Sequence, residues 1–595
     1  MLNCKKVVLA FSLVFALILA ACGTAAPTDG GTPAPPAGNG AAVGDDNDGE
    51  TGAAAPEGRR NLSIGFQGAT NPMDEVWWPT QFILEVEDIL DMDIELIAYS
   101  VDRLNLALAS RDLPDLLRVN QIQAATVLDG GMAAPFDPFL EDRGRYIDAP
   151  EFQIRNRIIR RFQSNNDGQL YFVTPNVGEE NKYGGIDIWN GYLVRWDLYL
   201  EIGAPSINND EEFVEVLRQM VELNPVTEDG LPVYAMGIHN DWGLWGWNMM
   251  QFANRGWQNT GGGWSYAASY VTGELISNYM NLERGPFWYN MRFFNNLWNL
   301  GLLDPDSFIM TQEEVNEKAG RGQYVSGIST WFTGRLYENM RAVDPDTLAG
   351  IVAVPGENQG GWYGGNHIAG WGDALVFMSN TGDVYAALDF TNWMHSPDAA
   401  RLHYSGIQGV HWDYDADGVP GVTDLFLGLR EEGGDAWRQL GISSMGHNIG
   451  SSAFGIHPDG HYFDLFAGDV NNKIAALNPL QRSFSEHFGV RWPSEHHLNM
   501  VAQGRAFNQR DLLITAINIG VGEVPSDIAR IDSQVDEIAL RAIPGLVMAE
   551  NDDEFLANQE QFLSDIRAAG AEESYTFWLN MWNEILEYVL MAAGR

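Results

Sequence analysis

Both cysteines of this chain, Cys4 and Cys22, fall within its first 22 residues. The rest of the chain therefore folds without a disulfide framework, Cys-ligated zinc, an iron–sulfur cluster or a thiol nucleophile. With 45% hydrophobic and 19% charged residues the balance is globular rather than disordered. A length of 595 residues exceeds what a single core normally serves, so two or more lobes are expected. Lys and Arg number 35 against 80 Asp and Glu, and no basic stripe is visible. That excess excludes nucleic acid or an anionic bilayer as ligand, since a phosphate backbone needs clustered cations. The 20 tryptophans call for a separate explanation.

The first residues set the compartment. Lys5 and Lys6 precede an apolar run from Val7 to Ala21, whose 15 residues fall short of the roughly 18–20 that a spanning helix needs. The run ends in Leu19-Ala20-Ala21-Cys22-Gly23, which resembles a bacterial lipobox. The resemblance implies that residues 1–21 are a lipoprotein signal peptide and that Cys22 becomes a lipidated N-terminus, palmitate being one of the acyl groups. The chain would then sit on the extracellular face of a bacterial cytoplasmic membrane and touch it only through that anchor. An ordinary signal peptide with a chance cysteine is the alternative. Residues 22–60 are mostly Gly, Ala, Pro, Thr and Asp, too poor in large apolar side chains to fold, and read as a disordered tether.

Beyond the tether, Leu62 to Phe66 reads as a strand, and Thr80 caps a helix with Phe82, Ile83, Val86, Ile89 and Leu90 on one face. Ile94 to Ala98 is a second strand, Asp102 caps a helix carrying Leu104, Leu106 and Leu108, and Leu113-Pro114-Asp115-Leu116-Leu117 leads into Val119 as a third strand. Strand, helix, strand, helix, strand predicts a parallel α/β lobe. Helices are predicted over residues 210–223, 286–300 and 572–591, the second stopping at Gly301. A later stretch, 351–354, 374–378 and 382–393, reads as the first lobe resumed. No repeat of fixed period is present, which argues against solenoids and propellers.

Several segments are similar to the carbohydrate-type extracellular solute-binding lipoproteins of bacterial ABC importers, relatives of the maltodextrin- and alginate-oligosaccharide-binding proteins. They are Asp102 to Asp115, with its Leu-Pro-Asp close, Tyr171 to Pro175, Leu193 to Gly203 with Arg195 and Asp197, Leu297 to Pro305, and Tyr404 to Trp412. They occur in the family's order over residues 61–425, whereas 440–595 match only loosely. The resemblance implies a periplasmic-binding-protein-like α/β fold: two α/β lobes joined by crossing strands, with a ligand cleft between them. Lobe I would take residues 61–175 and 331–395, and lobe II residues 176–330 and 396–595. The candidate crossings are 173–175, 326–330 and 372–376. It further implies a monomer that captures a carbohydrate and delivers it to the transmembrane permease subunits of an ABC importer, with no catalysis and no required cofactor.

The tryptophans fit that expectation. A sugar ring has an apolar C–H face and a hydroxyl rim, and so suits a flat aromatic platform flanked by polar groups. The candidate platforms lie in loop-rich sequence, often beside Gly: Trp77, Trp78, Trp189, Trp242 with Trp245 and Trp247, Trp331, Trp362 and Trp371. Arg195, Asp197, His367 and Asp373 are the candidate polar partners, although Arg195 and Asp197 also read as a structural pair. Trp298, Trp393, Trp578 and Trp582 sit on helical patterns and are assigned to packing.

Two rival readings remain. Asp413, Asp415 and Asp417 followed by Gly418, with Asp424 at the twelfth position, have the spacing of a structural Ca2+ loop, against an Asp-Gly turn in a surface hairpin. A lipid-anchored glycoside hydrolase would also be acidic and aromatic. It would need two opposed carboxylates, for which Asp241 with Asp373 is an easily invented pair among so many acids. No nucleophile elbow, P-loop, dinucleotide fingerprint or His-Glu-x-x-His is present. A peptide or other solute on the same fold is a third reading, for which tryptophan platforms are less expected.

Overall fold

Alternating apolar residues build the first sheet. In the computed structural model, Arg60–Gln67 lies parallel to both Met92–Tyr99 and Leu116–Val119 and buries Leu62, Ile64 and Phe66. The structure describes residues 59–595 except 68–78, 179–184, 261–262, 362–367, 371–373, 444–449 and 509–512. Cys22, Trp77, Trp78, Trp362, His367, Trp371 and Asp373 therefore lie outside the described residues. Gly58 to Arg595 forms one compact unit.

The connecting helices lie where the apolar spacing places them. Gln81–Leu90 buries Phe82, Ile83 and Val86, and Thr80 Oγ1 accepts the Ile83 amide at 3.4 Å. The next helix, Val101–Ser110, is capped by Ser100, which accepts from the Arg103 amide at 3.3 Å. Asp102, the predicted cap, instead occupies the first turn, where its charge faces the positive end of the helix dipole.

The sheet is completed from far along the chain. Leu375–Ser379 inserts antiparallel between Leu116–Val119 and Ala133–Ala134, giving five strands. Asp115 reinforces this closure, accepting from the Ser63 amide at 2.8 Å, the Ser63 hydroxyl at 2.6 Å and the Asp383 amide at 2.6 Å. Val173 pairs with Val376 through amide–carbonyl bonds of 2.9 Å in each direction, and Val177 bridges to Ser451. Beside them the Arg155 guanidinium is fully buried and donates to the Thr174 carbonyl at 2.9 Å, with His395 Nε2 at 2.8 Å. Burial pulls Arg155 down to about 9 and holds His395 well below the usual imidazole range, so the ring can accept rather than repel.

Ile351–Val354, read from sequence as part of the first lobe resumed, pairs antiparallel with Tyr192–Arg195 rather than with the first sheet. All four of its residues are buried, and an all-apolar run carries no record of which partner it will meet. The helix Asp210–Leu223 follows its prediction, with Asn209 accepting the Glu212 amide at 2.8 Å. Pro286–Asn299 ends before Gly301, whose φ of +68° takes the chain out of the helix.

Residues 440–595, only loosely matched in sequence, have a definite place. Three helices, Ser526–Val547, Asp552–Ala568 and Ala571–Ala592, back a three-stranded antiparallel sheet of Trp257–Thr260, Gly263–Ser269 and Leu275–Ser277. Trp578 and Trp582 are 1% and 0% exposed, as their helical spacing predicts. Trp578 Nε1 donates to Asp532 at 2.8 Å and Trp582 Nε1 to the Gly273 carbonyl at 2.7 Å. Replacing Trp582 by Ala should destabilise the fold by about 3–5 kcal/mol. Urea unfolding checks this as a lowered midpoint, and an unchanged midpoint would contradict the packing.

Candidate functional site

The aromatic sheet and the helix Leu244–Asn254 enclose a cavity of about 200 Å³. The helix supplies Trp245, Met249 and Phe252, the sheet Trp257 and Trp264, and the adjoining turn Tyr270. Trp189 and Asn190 enter from the stretch before Tyr192–Arg195, and Ile328 and Ser329 from the stretch before the helix Thr330–Val343. Asn190, Gln258, Asn259 and Ser329 are the polar members of an otherwise apolar wall. Flat rings with a few hydrogen-bonding groups are what a sugar's apolar face and hydroxyl rim require.

Local sequence explains how the rings are aimed. Gly243 has φ +54° at the entry to the helix, a turn that a side-chain-bearing residue rarely makes. Trp242 just before this turn and Trp245 just after it meet edge to face, with centroids 5.0 Å apart. His239 lies beneath them, 6.3 Å from Trp245 and near-parallel to it, and burial lowers its pKa, so it is a neutral ring at pH 7. Trp242 is 43% exposed and Trp189 39%, large apolar areas to leave in water. Trp247, two residues further on, faces the core and stacks on Phe308 at 5.2 Å. On the sheet, Phe252 meets Trp264 edge-on at 5.1 Å, and the Arg284 guanidinium lies 5.2 Å from the Trp257 ring.

The wall behind Trp264 is held by a buried carboxylate. Asp536 accepts from the Trp264 amide at 3.3 Å, the Ser265 hydroxyl at 3.1 Å and the Tyr279 hydroxyl at 3.2 Å. One turn earlier Asp532 accepts from Tyr266, Ser574 and Trp578. Burial, with Asp532 nearby, pushes Asp536 up to about 6. A carboxyl with a raised folded pKa binds its proton more tightly in the native state, so its contribution is fully present only below the unfolded carboxyl's value of about 4 and is lost as pH rises from there through about 6. Asp536→Asn should therefore flatten the fall in stability between pH 4 and pH 6, by at most ~1.4 kcal/mol per pH unit. Urea unfolding at the two pH values checks this, and an unaltered slope would refute it.

Of the residues put forward from sequence, Trp189 and Trp245 line the cavity and Trp242 packs against Trp245. Arg195 and Asp197 pair with each other at 2.9 Å at the start of the helix Trp196–Glu201. Trp331 lies in the first turn of Thr330–Val343, adjoining the cavity's Ser329, though its side chain is outside the described set. Asp241 accepts the Gln312 amide at 2.6 Å. Trp257, Trp264 and Tyr270 were missed. Trp257 follows Gly256 and Trp264 follows three glycines, the same pairing that marked the other platforms.

The aspartates proposed for calcium are not gathered around a common point. Trp412–Tyr414 and Pro420–Val422 form an antiparallel hairpin, in which Asp415 Oδ1 accepts the amides of Asp417 at 2.9 Å and Val419 at 2.8 Å. Asp413 accepts the neighbouring Tyr414 amide at 2.9 Å, and Asp424 lies in the first turn of a helix capped by Thr423. The Asp415 carboxylate thus braces the turn of this hairpin, the other arrangement that the spacing allows. Among the described residues no group of three or more His, Cys, Asp or Glu is placed to hold a metal. Thermal unfolding should give the same midpoint in excess calcium and in chelator; a calcium-dependent rise would restore the site.

The fold is that of the extracellular solute-binding proteins, the periplasmic-binding-protein type expected. It is similar to an extracellular solute-binding protein of Bifidobacterium longum subsp. infantis, with a TM-score of 0.59 and 14% identity over 90% of this chain and all of the other. An ABC-transporter-associated solute-binding protein of the same organism that binds HMO has a TM-score of 0.56 and 15% identity, with 89% and 99% covered. The alginate-binding protein AlgQ2 has a TM-score of 0.54 and 14% identity over 89% of this chain and 99% of its own. In sequence, the chain is 21% identical to the polygalacturonan/rhamnogalacturonan-binding protein YtcQ of Bacillus subtilis (strain 168) over 346 residues. That alignment spans 56% of this chain and 64% of YtcQ. No protein-family model matches the chain.

Proposed function

We propose that this protein is the extracellular substrate-binding component of an ABC importer and that it captures an oligosaccharide without turning it over. The observation that carries the reading is the cavity of about 200 Å³ walled by Trp189, Trp245, Trp257, Trp264 and Tyr270, set in a solute-binding fold. Edge-to-face packing of Trp242 on Trp245 and Phe252 on Trp264 presents the rings in fixed orientations, which lowers the entropy cost of binding. The names of the similar proteins, which bind HMO, alginate and polygalacturonan, support a carbohydrate.

The anchored half of the reading rests on sequence. Lipidation at Cys22 and a tether over residues 22–60 would hold the body at the outer membrane face, where a transmembrane permease could receive the ligand. Among the described residues no helix is long and apolar enough to cross a membrane. Trp77, Trp78, Trp242, Trp331, Trp362, His367, Trp371 and Asp373 remain proposed ligand contacts alongside the cavity walls. Ligand contacting both sides of a cleft would favour a closed state, and closure is the signal a permease can read.

Tryptophan fluorescence titration against a glycan panel, with analysis of the sugar afterwards, tests the reading. Saturable change with intact sugar is expected, and release of shorter sugar would overturn the binding assignment. Trp245→Ala and Trp264→Ala should each weaken binding by about 10-fold or more while Trp582→Ala acts on stability. The reverse order would remove the aromatic cavity from consideration.

A further inference from the structure

We propose that the ligand track runs on from the aromatic cavity to an arginine-lined basin that takes an acidic group, so that the oligosaccharide bound carries uronic acid residues. This rests on the oligosaccharide reading and adds the ligand's charge and direction to it.

Two stretches of chain line three adjoining cavities in matching order. The aromatic cavity has Trp189 and Asn190 on one side and Ile328 and Ser329 on another. A second, of about 250 Å³, has Asp187, Ile188 and again Trp189, with Thr330, Tyr337 and Glu338. A third, of about 660 Å³, has Ile186 with Arg341 and Pro345. Asn478 and Gln481 are shared by the second and third. Receding along 190 to 186 thus accompanies advancing along 328 to 345. At the rise of an α-helix, Ser329 to Arg341 covers about 18 Å, the length of a short oligosaccharide rather than a monosaccharide.

The chemistry changes along that line. The middle cavity holds the Asp187 carboxylate, fixed by Gln481 Nε2 at 2.7 Å and able to accept sugar hydroxyls. The far basin holds Arg341, Arg430 and Arg482, against the single acid Glu431 in its wall. Acids outnumber Lys and Arg by 80 to 35 in this chain, and many arginines are committed to them: Arg195 to Asp197, Arg218 to Glu215 and Glu222, Arg401 to Asp459. Among the described residues the basin arginines make no ion pair within 4.0 Å, and Asp464 draws on Arg430 only from further away. Arg430 is nevertheless held in place, its guanidinium 4.1 Å from the Phe466 ring centroid and 5.5 Å from that of Trp437. Guanidinium forks of this kind match a carboxylate bidentately.

The test is calorimetric titration of the full mature chain with short oligomers of galacturonate, mannuronate and guluronate, each paired with its carboxyl-reduced neutral counterpart. At least one acidic oligomer should bind about 10-fold or more tighter than its neutral partner at low salt, and the ratio should shrink as NaCl is raised. The double variant Arg341→Ala/Arg482→Ala should abolish the ratio by lowering the acidic affinity far more than the neutral one, whereas Trp245→Ala should lower both alike. Equal binding of the acidic and neutral partners, or a ratio that survives the double variant, overturns this proposal and leaves the oligosaccharide reading standing. If no oligomer of either kind binds, this proposal falls, and the glycan panel decides the oligosaccharide reading separately.

Discussion

The antiparallel pairing of Leu375–Ser379 with Leu116–Val119 is the contact on which the rest of the molecule depends. It brings the chain back to its first sheet after a long excursion, and Val173 meets Val376 at the place where that excursion leaves and returns. The entropy of closing a loop rises only slowly with its length, so five fully buried strand residues and their ladder bonds can secure it. Asp115 adds to them, holding Ser63 with one oxygen and the Asp383 amide with the other. Because both ends of the excursion are held at one sheet, its contents, including the aromatic cavity, have a fixed base to be positioned against.

Electrostatics follows a related logic. A chain with so few cations spends most of them near acids, and it buries charge only where donors or acceptors surround it. Arg155 is surrounded by carbonyl and amide oxygens and a neutral His395. Asp532 and Asp536 are ringed by hydroxyls, an indole and an amide. These acids sit on a helix of the C-terminal region but grip the sheet that carries Trp264, so a part of the chain with little family likeness in sequence shapes the cavity wall.

Helices and caps were legible from sequence because they are local. Residues 80–90, 210–223, 286–300 and 572–591 show the spacing, and Thr80 and Gly301 the punctuation, that the structure uses. Strand partners were not. Ile351–Val354 and Leu375–Ser379 are both continuous apolar runs, yet one joins Tyr192–Arg195 and the other the first sheet. The aspartate loop shows the same limit at a site: a one-three-five spacing of acids suits an ion or an Asx turn equally, and only the fold shows the Asp415 carboxylate accepting the Asp417 and Val419 amides. For the aromatics, glycine beside tryptophan was a sound signal applied too narrowly, since it also marks Trp257 and Trp264.

Sequence alone determined the absence of cysteine chemistry from the body, the acidic charge, the parallel α/β opening and the tryptophans that belong to helical cores. Each depends on composition or on residues a few positions apart. Tertiary structure decided which tryptophans converge, that Asp536 supports Trp264 from 272 residues away, and that Arg341, Arg430 and Arg482 share one basin. Those outcomes depend on contacts between segments distant in the chain, and no local pattern of side chains encodes the distance or direction at which such segments meet.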